Sequence, residues 1–203
     1  MTPEQITTWA DETRYAAAHP EHEWDEKAID WPLTSESVVV EVGGYTGRWA
    51  LQIADRYQPR LYVFEPQPWA FATCERVIGD RAKVLHYGLG ATTAMLPMGD
   101  WGTDGASFVK PGGQGSGMLI EIGAAFRDLA IDHIDLMLVN IEGYEYTLLP
   151  HMFDQGIAPD RLMVQFHDHA DPTGDGRRAI EARMAERYQM VWEYWALTAW
   201  EKR

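Results

Sequence analysis

Four short runs in this 203-residue chain carry residue types able to do chemistry. Glu41-Val42-Gly43-Gly44-Tyr45-Thr46-Gly47 sets an acid ahead of a glycine-rich turn, and Glu65-Pro66 puts a second acid further on. Asn140-Ile141-Glu142-Gly143 and Phe166-His167-Asp168-His169 follow strongly apolar stretches. Glycines in a strand-to-helix turn let the backbone approach a ligand, and the helix that follows presents free N–H groups. Glu65 stands roughly 20 residues past the turn, where an acid accepts hydrogen bonds from both hydroxyls of a ribose. That implies an adenosine-type ligand without a 2′-phosphate. The dinucleotide fingerprint G-x-G-x-x-G is met at Gly44 and Gly47, but Val42 occupies its first glycine. Glu41 is repulsive beside a pyrophosphate and favourable beside a sulfonium or an amine.

Strand ends and helix starts must hold these residues. Val38–Val42 is a β-branched run expected as a buried parallel strand, and Trp49, Ala50, Ile53, Ala54 and Tyr57 recur behind the turn at helical spacing. Further strands are expected at 61–64, 83–87, 134–141 and 162–166, with helices at 68–78, 123–130, 144–153 and 176–188. The glycine-dense stretch 88–122 breaks the rhythm, with short accessory strands at 94–96 and 118–120. A helix is expected over 3–18, ahead of an acidic irregular stretch. Residues 190–200 alternate aromatic and polar like an antiparallel hairpin. Alternating β and α elements predict an α/β fold, a Rossmann-like doubly wound, mostly parallel sheet with helices on both faces. The C-terminal hairpin adds an antiparallel strand at one edge. We expect one domain over 1–203, with 1–36 as an N-terminal helical cap and 89–122 as an insertion near the substrate.

Val39 to Gly47 resembles motif I of class I methyltransferases. Val63-Phe64-Glu65-Pro66-Gln67-Pro68 and Ile134 to Glu145 resemble the next two signatures of the FkbM-type branch. Together the three cover roughly residues 36 to 170. The resemblance implies the class I methyltransferase fold, S-adenosylmethionine as cofactor, and methylation of a hydroxyl on a small molecule such as a sugar or natural product. By position, Glu41, Gly43, Gly44, Tyr45, Thr46 and Gly47 would frame the methionine part. Glu65 and Pro66 would serve the ribose, Gly88 and Leu89 the adenine, and Asn140 the amino group or a substrate hydroxyl. Two positions depart from the branch: its usual Lys is Leu138 and its usual Asp is Asn140, which cannot act as a base. Glu142 and Glu145 match it, and Glu142 has a second reading as a cap of the next helix.

Transfer to a hydroxyl requires in-line geometry and removal of a proton. A histidine with an ordinary pKa suits that task at neutral pH, so His167 is the expected base, with Asp168 or Glu142 orienting it. Asn140 completes the expected catalytic set. A divalent metal among Asn140, Asp168, His167, His169 and Asp171 is the less favoured alternative, because the spacing fits no strict ligand signature. In the insertion, Asp100, Trp101, Asp104 and Phe108 suit a polyhydroxylated acceptor.

The formal net charge of -14 gives an acidic field that disfavours nucleic acid and anionic membranes as partners. The single cysteine, Cys74, allows no internal disulfide. The N-terminus shows no basic and apolar leader pattern, and no apolar run is long enough to span a membrane, so a cytoplasmic location is expected. The oligomeric state is left open. The alternatives to an enzyme of this kind are a non-catalytic adenosylmethionine-binding module and an NAD-dependent oxidoreductase.

Overall fold

A computed structural model describes residues 24–203 apart from Trp101, Asp104, Pro111, Gly113, Gln114, Asp168 and Trp195. The expected helix over 3–18 lies outside the described residues. After helix α1 (Trp24–Ile29) come β1 (Val38–Val42), α2 (Arg48–Tyr57), β2 (Arg60–Phe64), α3 (Pro68–Ile78) and β3 (Lys83–Leu85). Next are β4 (Gly88–Gly90), β5 (Ala94–Met98), β6 (Gly115–Glu121), α4 (Ile122–Asp128), β7 (Leu136–Val139) and α5 (Glu145–Asp154). The chain closes with β8 (Arg161–Gln165), α6 (Asp175–Met184), β9 (Tyr188–Tyr194) and β10 (Leu197–Lys202). No helix among the described residues is long and apolar enough to cross a membrane.

The main sheet runs β3-β2-β1-β7-β8-β10-β9. Every residue of β1 and of β7 is buried, as strands covered on both faces must be. Their side chains alternate between two cores. Val40, Val42, Met137 and Val139 pack towards Phe126 of α4, Leu148 and Met152 of α5 and Ile180 of α6. Val39, Leu136 and Leu138 pack towards Ala28 of α1, Trp49 and Ile53 of α2 and Cys74 and Ile78 of α3. The result is an α/β/α layering, as the sequence implied.

The hairpin differs in detail from expectation. Its second strand, β10, is inserted between β8 and β9 and pairs antiparallel with both. The antiparallel strand is therefore interior, and the edge strand β9 runs parallel to the rest. The apolar length of β10, with Leu197, Thr198, Ala199 and Trp200 all buried, accounts for this placement.

The glycine-dense stretch is also more ordered than a loop. β4 pairs parallel with β6, and β5 pairs antiparallel with β6, forming a separate three-stranded sheet. The expected third strand ends at Leu85, and the chain restarts at Gly88 to join this second sheet. Gly117 on β6 carries no side chain where Met98, Phe108 and Pro66 converge: a Cβ there would lie 2.8 Å from Met98 Sδ and 3.0 Å from Pro66 Cβ. The small sheet is thus seated on the end of β2. Strand order reverses between β1 and β7, so the crevice at their carboxyl ends is where such a sheet binds ligands.

Candidate active site

At that crevice lies a cleft of about 700 Å³. Three sources build it: the turns after β1, β2, β7 and β8, the small sheet, and the β9–β10 corner.

The turn after β1 is fixed by the second strand, because the Gly43 and Gly44 N–H groups both donate to Phe64 O, at 2.9 and 3.2 Å. Gly43 has φ 90°, and a Cβ on it would fall 1.9 Å from Asn140 O. The β1 and β7 turns therefore meet at a contact only glycine permits. Gly44 and Gly47 face inward: their Cβ positions lie 2.3 Å from Val63 Cγ1 and 2.9 Å from Ile78 Cδ1. Of the run Gly43 to Gly47, Gly43 and Tyr45 line the cleft, and Gly44, Thr46 and Gly47 do not. Glu41 lies beneath the turn, 3.8 Å from the Cβ position of Gly44 on the side of Cys74. It is buried with Oε2 unpartnered, and burial, then the nearby Glu65 charge, holds its carboxyl well above the usual range.

Glu65 is the best-defined acid of the cleft. Tyr45 N donates to Oε2 at 2.7 Å and Gln67 N donates to Oε1 at 2.8 Å, so both oxygens are fixed and each keeps an acceptor position. Burial pushes this carboxyl up to about 7, against the two backbone donors that favour its ionised form. Beside it, Pro66, Gly88, Leu89, Phe108 and Leu119 form an apolar slot. Gln67 clamps the insertion: its Oε1 accepts from Gly102 N and its Nε2 donates to Thr103 O, each at 3.1 Å. Tyr45 and Trp69 meet edge to face at the rim, 5.2 Å between centroids.

The opposite wall carries the charged cluster. His167 Nδ1 lies 3.1 Å from Glu145 Oε1, and Nε2 lies 3.0 Å from Glu142 Oε1, close enough for an ion pair but off the line of a hydrogen bond. Burial works to lower the His167 pKa, but the close contacts and charges of Glu142 and Glu145 outweigh it and push it up to about 9. Glu145 Oε2 also accepts from Gly143 N at 2.9 Å. Asn140 lines the cleft with its Oδ1 buried and unpartnered. Glu142 does not cap the next helix, since its carboxylate turns to His167 and Tyr144 stands at the N-cap.

The structure thus brings Asn140, Glu142, His167, Gly43, Tyr45, Glu65, Pro66, Gly88 and Leu89 to one cleft. Asp168, Trp101 and Asp104 lie outside the described residues. Asp100 turns to Lys110, 3.0 Å away, and does not line the cleft. The reading of the sequence gave no role to Glu145, Gln67, Ser107 or Lys110. For Glu145 a signal existed, an acid placed at the first turn of a helix three residues after Glu142. Among the described residues the grouping suited to an ion is His133, Asp135 and Asp160, at the other end of the strands.

No family model and no curated protein matches the sequence. Solved structures match its shape. SAH-bound methyltransferase PaMTH1 of Podospora anserina superposes with a TM-score of 0.54 at 14% identity, over 98% of this chain and 99% of that one. The class I methyltransferase fold is the fold of this chain. N-methyltransferase NodS of Bradyrhizobium japonicum WM9 gives 0.51 at 13% identity, over 91% of this chain and 96% of that one. The Methanococcus jannaschii fibrillarin pre-rRNA processing protein gives 0.51 at 11%, over 85% and 69%.

Proposed function

We propose that this protein is an S-adenosylmethionine-dependent methyltransferase that methylates a hydroxyl on a small molecule such as a sugar or natural product. The observation that carries the reading is Glu65, a buried carboxylate at the end of β2 that lines the switch-point cleft, with each oxygen fixed by one backbone N–H group and retaining acceptor capacity. Two ribose hydroxyls match that arrangement. The slot of Pro66, Gly88, Leu89, Phe108 and Leu119 suits an adenine ring. The orphaned Asn140 Oδ1 suits an amino group or a substrate hydroxyl.

When bound, S-adenosylmethionine supplies an electrophilic methyl group. The chain's own residues do the rest. The β1 turn and Asn140 stand at one end of the cleft, and Gly88, Leu89 and Leu119 of the small sheet give it an apolar lining. The cluster of Glu142, Glu145 and His167 holds the charge that receives a proton. The -14 net charge favours a small acceptor over a nucleic acid.

The test is calorimetric titration with S-adenosylmethionine and S-adenosylhomocysteine, repeated on Glu65→Ala. Micromolar binding weakened at least about tenfold in the variant, ~1.4 kcal/mol, is expected. Failure of the wild-type protein to bind either compound overturns the reading.

A further inference from the structure

We propose that Glu142 is the group that takes the acceptor's proton, that His167 is a fixed imidazolium and not the base, and that Ser107 of the insertion positions Glu142. This rests on the methyltransferase reading above.

The ring of His167 stands between two carboxylates, with Nδ1 3.1 Å from Glu145 Oε1 and Nε2 3.0 Å from Glu142 Oε1. A neutral imidazole carries one N–H and one bare lone pair. Here a bare lone pair on either nitrogen would lie within 3.1 Å of a carboxylate oxygen, which is repulsive, so both nitrogens carry protons. An imidazolium of this kind has no site for a further proton. The third group around the ring is His169, 5.7 Å away between centroids. The fully buried Glu145 is committed to Gly143 N, His167 N and His167 Nδ1. Glu142 differs. One oxygen pairs with His167, and the other, Oε2, lies 3.8 Å from the Cβ position of Gly105, across the cleft mouth. As the acceptor oxygen forms its bond to the methyl carbon, the electron pair of the broken carbon–sulfur bond stays on sulfur. The acceptor proton passes to Glu142 Oε2, and Glu142 later returns it to water.

The backbone supports this assignment. Glu142 has φ 54°, a left-handed conformation that a non-glycine residue adopts only when its surroundings impose it. Ser107 Oγ donates to Glu142 O at 2.5 Å, and His169 Nε2 lies 3.1 Å from the same oxygen. Ser107 is buried, and its hydroxyl is itself set by accepting from Val109 N at 3.1 Å. Val109 packs where Gly143 lacks a side chain, with Cγ2 2.8 Å from the Cβ position. The insertion thereby sets the direction of the Glu142 carboxylate, which makes Ser107 a positioning residue.

The experiment is a pH titration of the wild-type protein, labelled at histidine, followed by NMR from about pH 5.5 to 10.5. Both His167 ring nitrogens are expected to stay protonated to about pH 8 and to lose a proton only near pH 9. Conversion of His167 to a neutral tautomer below pH 7 overturns the assignment. Ser107→Ala is expected to lower the His167 midpoint by a unit or more, and Ser107→Thr to leave it in place. An unchanged midpoint in Ser107→Ala overturns the positioning role. Should that variant not fold, Ser107→Cys, with its weaker donor, is held to the same criterion. None of these measurements needs a bound cofactor. Loss of the methyltransferase reading and loss of this assignment therefore show up separately.

Discussion

Glu145 Oε1 accepts from both the backbone N–H of His167, at 2.8 Å, and its ring Nδ1, at 3.1 Å. One buried carboxylate oxygen thus ties down the main chain and the ring of the same residue, joining the start of α5 to the end of β8. Glu145→Gln keeps the shape but can satisfy only one side. If its oxygen faces His167, its NH₂ meets the N–H of Gly143. The expected loss is about 2–4 kcal/mol of folding stability, measured by urea unfolding at pH 7. A loss within about 0.5 kcal/mol, the range of ordinary surface changes, would mean the carboxylate is not committed as described.

The same cluster sets a pH dependence. His167 titrates at about 9 in the folded protein, above the histidine value of 6.5. The folded state therefore holds a proton that the unfolded state releases. The stabilisation is complete below about pH 6.5 and lost as pH rises through about 9, for a total on the order of 3 kcal/mol. Unfolding measured across that window on wild-type protein and on His167→Gln should show the difference between them shrinking as pH rises. A difference that grows with pH would reverse the sign and exclude the ion-paired arrangement.

Glu65 makes the complementary prediction for the cofactor. Its carboxyl is raised to about 7, yet two ribose hydroxyls bond far more strongly to the ionised form, in which both oxygens are pure acceptors. Binding below pH 7 must therefore release a proton. The S-adenosylhomocysteine Kd should improve roughly tenfold per pH unit up to about 7 and then level off. Calorimetry in buffers of different ionisation enthalpy measures the proton directly. A Kd that is flat between pH 5.5 and 8 would show that Glu65 is already ionised or is not the ribose partner.

Much of this architecture is legible in the sequence, for a physical reason. β1, β7 and β8 are buried on both faces, so they must be continuous apolar runs, and the glycine turn and Glu65-Pro66 follow from strand ends at fixed spacing. What local pattern cannot carry is pairing across long separations. Gly88–Gly90 has no strand character by itself and becomes β4 only because β6 lies beside it. The place of β10 inside the sheet depends on burial of Leu197 to Trp200, which a hairpin pattern alone does not assign to the interior. In the site, Ser107 and Glu142 are far apart in the chain, and their contact is set by how the small sheet sits. His167 illustrates the limit best: the residue was legible as part of the site, but its protonation state depends on Glu142 and Glu145, which converge on it from another strand end.

The glycine turn offers the sharpest structural test, because Gly43 and Gly79 both have a positive φ but opposite surroundings. Gly43, at φ 90°, has Asn140 O only 1.9 Å from where a Cβ would sit. Gly79, at φ 66°, has nothing within 4 Å. Alanine at Gly79, where φ is 66° and ψ is -138°, meets only the backbone cost of that conformation, about 1–3 kcal/mol. Alanine at Gly43 meets the same cost and must also force the β1 turn and the β7 turn apart, because the obstructing atom is a main-chain carbonyl and cannot rotate away. The expected loss at Gly43 is about 3 kcal/mol or more. Since the displaced turns carry Tyr45 N, which holds Glu65, and Asn140, S-adenosylhomocysteine binding should also fall below detection. Gly79→Ala should bind like wild type. Equal losses of stability in the two variants would mean that the turns after β1 and β7 are not in contact, and that the cleft is not built at the junction of β1 and β7.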